Sequence, residues 1–249
     1  MELAQKTARL RALHHADRPL VLPNVWDVAS ARAVARAGFP VLATSSGAIA
    51  ASLGHPDNDS MPVEEVFGAL RRIAAALDLP VSGDLEAGYQ LPADELVQRL
   101  LAAGAVGCNL EDTDHHGSSG IVDAHAQAER IAATKRAGRD HGVDIVVNAR
   151  VDVFRGQPEQ SDELLSEAIR RARLYAEAGA DCVYPITLDR EALIQRFVAA
   201  VPAPVNILLR GKLTVSGLST LGVKRISLGS GLFRTAYAAA EERAATLHQ

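Results

Sequence analysis

The chain contains few residues of several informative kinds. Only two of its 249 residues are cysteine, one is tryptophan, and aromatic residues make up 4%. Because Cys108 and Cys182 each lie inside an apolar run, we expect two buried thiols and no disulfide. The formal net charge of -4 and the lack of a basic run give no reason to expect a nucleic acid or a membrane surface as a partner.

Long hydrophobic runs are also missing. No apolar run reaches the ~18 residues that a transmembrane helix needs. Residues 1–15 predict a polar amphipathic helix without the apolar segment of a signal peptide, so we expect a cytoplasmic location. Hydrophobic residues make up 48% of the chain and charged residues 22%, which is typical of a globular protein. No linker divides the sequence, and we predict one domain over residues 1–249.

One unit recurs along the chain, namely a short apolar run, a polar loop and a longer helical segment. The predicted strands are Leu20–Leu22, Val41–Ala43, Leu79–Val81, Val106–Leu110, Ile145–Val147, Cys182–Tyr184, Val205–Leu208 and Arg225–Leu228. The predicted helices are Val28–Ala37, Val63–Leu77, Ala93–Ala103, Ala124–His141, Asp162–Ala178, Arg190–Ala200, Val215–Leu221 and Leu232–Thr246. This α/β alternation favours a parallel sheet, and its count fits a closed (β/α)8 barrel of the TIM type. A doubly wound open sheet is the alternative, but the first turn, Pro23–Asp27, lacks the glycine-rich dinucleotide fingerprint.

Two carboxylates, Asp84 and Glu86, follow the third predicted strand. Side chains two apart on an extended strand point to the same side, so the two carboxylates are expected to converge. Oxygen ligands of this kind suit a hard divalent cation such as Mg²⁺. A solvated pair at a strand end is the alternative.

More acids follow the next two predicted strands. Glu111 and Asp112 follow the fourth strand, whereas Arg150 and Asp152 follow the fifth. Strands three and four are neighbours in a barrel, and crowded carboxylates repel each other unless a cation or a shared proton relieves them. The set therefore favours a metal site, although Asp112 and Asp152 individually could be structural.

Several polar residues at other strand ends suit the binding of an acid. Ser45, Ser46 and Gly47 precede a helix-like run and would offer backbone N–H groups to an anionic oxygen. Arg150 could hold a carboxylate or phosphonate with its two-pronged guanidinium, or form a salt bridge to a barrel acid. Asn206 could orient a second carboxylate or cap its own loop.

Three further features lie in the loops. The long polar connection of residues 54–60 is a candidate flap. Tyr89 could donate a hydrogen bond to a substrate or pack at the barrel rim. His115 and His116 are adjacent, so their side chains diverge, and we interpret them as solvated histidines rather than as a metal pair.

Five motifs occur in a recognisable order. They are Ser46-Gly47, Leu53-Gly54-x-x-Asp57, Asp84-x-Glu86-x-Gly88-Tyr89, Asn109-Leu110-Glu111-Asp112 and Asn148-Ala149-Arg150-x-Asp152. Their order and spacing resemble the isocitrate lyase/phosphoenolpyruvate mutase superfamily over nearly the whole chain. The resemblance implies a barrel whose last helix commonly swaps between subunits, giving a homodimer or homotetramer. It also implies a site for Mg²⁺, with Mn²⁺ possible, that binds 2-oxo or 2-hydroxy acids.

The resemblance also implies roles for individual residues. Asp84 is expected to bind the metal directly, and Asp57, Glu86 and Glu111 through water. Ser46 and Gly47, with Ser45 beside them and Arg150 opposite, are expected to hold the substrate carboxylate, and Asn206 to lie in the pocket. A water held by Glu111 or Tyr89 would take the substrate's hydroxyl proton.

The chain departs from the family pattern at the loop after the fourth strand. Carbon–carbon lyases of the family carry Lys-Lys-Cys-Gly-His there, with the cysteine as general acid, whereas residues 113–120 form a short loop without cysteine. The asparagine typical of the mutases is missing as well. In addition, Thr44 replaces a usual aromatic residue, and Ile186 stands where methylisocitrate lyase-like members have glutamate. These differences indicate a short-loop branch.

Three functions follow from these expectations. The first is a Mg²⁺-dependent lyase acting on a C–C bond of a small 2-hydroxy or 2-oxo (di)carboxylic acid, with the returning proton supplied by His115, His116 or solvent. An oxaloacetate decarboxylase or hydrolase would need less from the loop. The second is P–C bond chemistry on phosphonopyruvate or phosphoenolpyruvate. The third is a non-catalytic 2-oxo acid binder that has kept the metal site.

Overall fold

The computed structural model describes residues 1–117 and 120–247, so Ser118 and Ser119 of the short loop and the last two residues lie outside the described residues. The strands are β1 Leu20–Leu22, β2 Asn24–Val25, β3 Leu42–Thr44, β4 Val81–Asp84, β5 Gly107–Glu111, β6 Val146–Val151, β7 Cys182–Pro185, β8 Asn206–Leu208 and β9 Arg225–Ser227. The helices are α1 Leu3–Leu13, α2 Val28–Arg36, α3 Ser46–Leu53, α4 Val63–Ala75, α5 Ala93–Ala102, α6 Ala124–Asp140, α7 Asp162–Glu177, α8 Glu191–Ala200, α9 Val215–Thr220 and α10 Gly231–Ala245.

The strands close into a parallel barrel. Six of them run in the order β2-β3-β4-β5-β6-β7, and the other three in the order β1-β9-β8. β1 and β2 are consecutive parts of one barrel strand, interrupted at Pro23, which has no N–H to donate. The ring closes between β7 and β8, where Val183 N donates to Pro204 O at 2.9 Å and Val183 pairs with Val205. The predicted barrel is therefore confirmed, with eight strand positions.

Several elements are longer than the sequence pattern suggested, and β4 runs from Val81 to Asp84 where the predicted strand ended at Val81. β6 extends to Val151, because its polar residues Asn148 and Arg150 are buried in the structure and pair with neighbouring strands. Hydrophobicity alone could not show that such a polar stretch is a strand. α3 spans eight residues, beginning at Ser46 directly after β3, and this places the start of a helix at the mouth of the barrel.

No residue of helix α10 is buried, and its Tyr237 is 52% exposed. The predicted swap of this helix between subunits stays a prediction. Cys108 and Cys182 are buried free thiols, as expected, and burial raises the pKa of each to about 12. Within the described residues, no helix combines the length and apolar character required to cross a bilayer.

Candidate active site

A cavity of about 170 Å³ opens at the carboxyl ends of the barrel strands. Six residues predicted to bind a metal or a substrate line it, namely Ser45, Ser46, Gly47, Asp57, Asp84 and Arg150. The other predicted residues, Glu86, Tyr89, Glu111 and Asn206, lie outside its lining. A larger depression of about 350 Å³ beside α2, α3 and α4 contains none of the predicted site residues.

Asp84 is the last residue of β4 and the centre of the polar contacts in the cavity. Its Oδ2 accepts hydrogen bonds from the backbone N and the Oγ of Ser46, both at 3.0 Å, and its Oδ1 accepts one from Asn109 Nδ2 at 3.1 Å. No ion pair to this carboxylate occurs among residues 1–117 and 120–247. The Ser46 N–H that the sequence suggested for a substrate is therefore held by Asp84.

Asp57 lies close to the start of α3. A Cβ at Gly47 would come within 2.7 Å of Asp57 Oδ2 and 3.1 Å of Ser230 Oγ, so only glycine allows this approach. Burial raises the pKa of Asp57, and the negative charge of Asp84 raises it further. The two carboxylates thus repel each other at the edge of the cavity, and a cation between them would relieve the repulsion.

The carboxylates in the cavity suit a Mg²⁺ ion that keeps several of its water ligands better than an ion bound entirely by side chains. In the described part of the chain, no group of three or more His, Cys, Asp or Glu residues is arranged to bind a metal ion. Mg²⁺ usually keeps several waters and takes only one or two carboxylates from the protein. Asp84 and Asp57, which both line the cavity, supply carboxylates of the right kind.

Glu86 does not take the orientation expected from strand alternation. β4 ends at Asp84, and Glu86 has a φ of 49°, in the left-handed region, so the two-residue rule no longer applies there. Its carboxylate accepts hydrogen bonds from Asp59 N at 2.5 Å and from Tyr89 Oη at 3.0 Å. Burial, only partly opposed by the Asp59 N–H, raises the pKa of Glu86 to about 7.

The raised pKa of Glu86 predicts a pH-dependent stability in metal-free protein. A carboxyl with a raised folded pKa contributes stability that is complete below its unfolded pKa and is lost as the pH rises through about 7. We expect the unfolding free energy to drop by about 1–3 kcal/mol more between pH 4.5 and 8 in the native protein than in Glu86→Gln. Urea unfolding in EDTA measures this, with Glu129→Gln on the exposed surface as control. Parallel pH profiles for native protein and Glu86→Gln would contradict the expectation.

The position of Arg150 allows both roles that the sequence suggested, namely binding a substrate acid and forming a salt bridge to a barrel acid. Its side chain lines the cavity and also pairs with two acids. Nη1 lies 2.5 Å from Glu111 Oε2. Nε and Nη2 donate hydrogen bonds to the two carboxylate oxygens of Asp152, at 2.7 and 2.6 Å. Although burial would lower it, these carboxylates raise the pKa of Arg150 well above its usual value. Burial raises the pKa of Glu111, with Arg150 opposing the shift.

The prediction of solvated histidines is wrong for His115. Its side chain is only 6% exposed, and Nε2 lies 2.7 Å from Glu111 Oε1. This hydrogen bond raises the pKa of His115. His116 is 40% exposed, and its Nε2 lies 3.1 Å from Asp59 Oδ2. The error arose because nothing in the local sequence shows that the loop folds back over the acids.

Asp59 was missed entirely by the sequence analysis. It lies in the connection interpreted as a candidate flap, yet it is buried and accepts a hydrogen bond from Tyr89 N at 2.9 Å. Together with its contacts to Glu86 and His116, this bond fixes the connection to the loops after β4 and β5. One acid in a polar loop carries no signal of such long-range contacts.

Two other polar residues, Asn206 and Asp112, are fully buried and form hydrogen bonds within the protein. Asn206 is fully buried and exchanges two hydrogen bonds with Ser227, at 3.0 and 3.1 Å, and Ser227 lines the cavity. Asp112 is also fully buried and accepts hydrogen bonds from Tyr175 Oη at 2.7 Å and from Asp152 N at 2.8 Å. The structural interpretation of Asp112 is therefore the one that its contacts favour.

Comparisons with known proteins relate the chain to a set of enzymes. A family model described as phosphoenolpyruvate phosphomutase matches residues 10–248. The 2-methylisocitrate lyase of Escherichia coli K12 is 30% identical over 215 residues, which cover 82% of this chain and 70% of that protein. The crystal structure of phosphoenolpyruvate phosphomutase from Streptomyces platensis subsp. rosaceus has a TM-score of 0.84 at 28% identity, covering 97% of this chain and 86% of the other. A phosphonopyruvate hydrolase solved with oxalate and Mg²⁺ has a TM-score of 0.86 at 26% identity, covering 100% of this chain and 87% of the other.

Proposed function

The chain belongs to the phosphoenolpyruvate phosphomutase family, which confirms the resemblance seen in the sequence, and from this premise we propose that it is a Mg²⁺-dependent lyase. It breaks a C–C bond of a small 2-hydroxy or 2-oxo acid. The observation that carries the proposal is the Asp84 carboxylate, which has no cationic partner among the described residues and lines a cavity shared with Asp57 and Arg150. Mn²⁺ is the alternative metal.

Different residues would bind the metal ion and the substrate. Asp84 would hold the metal directly and Asp57 through water, and the bound ion would supply Lewis-acid polarisation of the substrate's C2 oxygen. Arg150 and Gly47 line the cavity, where the guanidinium and the Gly47 N–H would bind the substrate carboxylate, since the Ser46 N–H is held by Asp84. The small size of the cavity restricts the substrate to a short acid.

Proton transfer is assigned to a water held by the pair Glu111 and His115, which lie outside the cavity lining, rather than by Tyr89. The Tyr89 hydroxyl already donates to Glu86, and burial raises the pKa of Tyr89 well above its usual value, so it is a poor base. Glu111 and His115 share a hydrogen bond of 2.7 Å beside Arg150. Through such a water, the pair can accept the hydroxyl proton and later return one to the product.

Incubation of the purified chain with Mg²⁺ and single acids tests the proposal. Oxaloacetate, malate and phosphonopyruvate are followed by ¹H and ³¹P NMR, with an EDTA sample as control. Mg²⁺-dependent products of C–C cleavage support the lyase. Phosphorus-containing products would instead favour P–C chemistry, the second candidate, which the similarity to a phosphomutase and a phosphonopyruvate hydrolase supports. Tight oxalate binding without any turnover would favour the non-catalytic binder.

A homo-oligomer is part of the proposal. α10 has no buried residue, and its residues Phe233 and Tyr237 contact Trp26, the first edge-to-face and the second at a tilt, with ring centroids 5.2 and 6.5 Å apart. These contacts leave every residue of α10 at least partly exposed, and a second copy that covered the helix would stabilise it by burying its apolar surface. Light scattering on the full chain tests this, and a monomer would contradict it. The cytoplasmic location stays a sequence-based prediction.

A further inference from the structure

The hydroxyl of Tyr184 has an unusual place in the cavity. Tyr184 lies on β7 directly beside Arg150 in the strand register, lines the cavity, and is 3% exposed. Across residues 1–117 and 120–247, its Oη has no hydrogen-bond partner, and it is not one of the fully enclosed polar atoms that lack one, so the hydroxyl is open to the cavity. A tyrosine hydroxyl that faces a cavity takes its partner from the water or the ligand that fills the cavity. The cavity is the place from which a partner can come.

The lining of the cavity is polar but contains little positive charge. Arg150, the strand neighbour of Tyr184, is the only Arg, Lys or His among the described lining residues. Arg150 already pairs with Glu111 and Asp152. A substrate with one carboxylate can use Arg150 and the metal, whereas a second carboxylate would be buried without a positive partner, which is costly.

We propose that Tyr184 donates a hydrogen bond to an uncharged oxygen on carbon 4 of the substrate. The substrate class is then a short 2-hydroxy monocarboxylic acid with a carbonyl group at carbon 4. This inference rests on the proposed function and narrows it, because that function alone allows a dicarboxylic acid.

The position suits the chemistry of cleavage between carbons 2 and 3. The C2 hydroxyl gives its proton to the base, and its oxygen forms the carbonyl of a 2-oxo acid. The electron pair of the broken bond becomes the double bond between carbons 3 and 4, so negative charge develops on the C4 oxygen. The resulting enolate takes a proton at carbon 3. A donor aimed at the C4 oxygen stabilises that charge as it forms. Burial raises the pKa of Tyr184, so the hydroxyl keeps its proton and acts as a donor.

Calorimetric binding with Mg²⁺ tests the inference on native protein, Tyr184→Phe, and the control Tyr237→Phe, whose hydroxyl lies on the exposed helix α10. The probes are oxalate, 2-hydroxybutyrate, 2,4-dihydroxybutyrate and malate, none of which has an aldehyde or ketone at carbon 4. We expect native protein and Tyr237→Phe to bind 2,4-dihydroxybutyrate about threefold to tenfold more tightly than 2-hydroxybutyrate. Tyr184→Phe should lose this preference while its oxalate affinity stays the same. Malate should bind native protein more weakly than 2,4-dihydroxybutyrate.

The possible failures are distinguishable. A preference retained in Tyr184→Phe, or malate as the tighter ligand, overturns the inference and leaves the metal site standing. Native protein that does not bind oxalate with Mg²⁺ overturns the proposed function and this inference with it. Thermal unfolding provides a separate check, because loss of a hydroxyl without a partner should not lower the midpoint of Tyr184→Phe. A clear fall in the midpoint would show that the hydroxyl bonds within the protein.

Discussion

Replacing Asp84 with alanine is expected to weaken the Mg²⁺-dependent binding of oxalate by at least about a hundredfold. Loss of a residue that merely supports a metal ligand typically costs tenfold to a hundredfold in affinity, and Asp84 is assigned as the direct ligand. Its carboxylate also holds the start of α3 through Ser46 and ties β5 through Asn109. Isothermal titration with and without Mg²⁺ gives the affinity.

Two further variants make the Asp84 result interpretable. Asp84→Asn keeps the shape and most of the acceptor capacity of the side chain, so it should lose binding while its unfolding midpoint stays close to that of native protein. Asp17→Ala removes an exposed acid before β1, away from the cavity, and should bind oxalate as native protein does. If Asp84→Ala and Asp84→Asn both retained their Mg²⁺ response, the metal would have to bind elsewhere.

The sequence was sufficient to locate Asp84 and Arg150, because the barrel brings every carboxyl end of a parallel strand to one face. Acids and an arginine that follow predicted strands must then be neighbours, whatever the details of the loops. The same reasoning failed at Glu86, since it assumed that the strand continued. The chain leaves the extended conformation after Asp84 and enters the left-handed region at Glu86. Period-two alternation carries no information beyond the last residue of a strand.

Residues held by contacts between loops could not be found in the same way. His115 reaches Glu111, and Asp59 reaches Glu86 and Tyr89, only because three loops meet above the barrel. Tyr184 was counted with an apolar strand end, as its hydroxyl gives no signal in a hydrophobic pattern. Its significance depends on the inward register beside Arg150, which becomes visible only when β6 and β7 are paired.

Replacing Arg150 with methionine is expected to destabilise the fold as well as remove ligand binding. The guanidinium neutralises Glu111 and Asp152, which are both buried. Removing one partner of a buried ion pair costs about 3–5 kcal/mol, because the remaining charge is left uncompensated. For a chain of this size that corresponds to a fall in the unfolding midpoint of roughly 6–20 °C. Urea and thermal unfolding at pH 8 measure the loss.

The pH dependence identifies the cause of the destabilisation by Arg150→Met. Although burial alone would raise it, Arg150 lowers the pKa of Asp152 in native protein, so the pair stabilises the fold above the usual carboxyl range. Without Arg150, both carboxyls are buried with raised pKa values, and the stability of the variant is lost as the pH rises through them. The deficit should therefore be small near pH 4 and large at pH 8. Arg170→Met breaks an exposed pair with Glu167 and should cost less than about 1 kcal/mol at either pH. A deficit in Arg150→Met that is the same at both pH values would mean that lost packing, not charge, holds the site together.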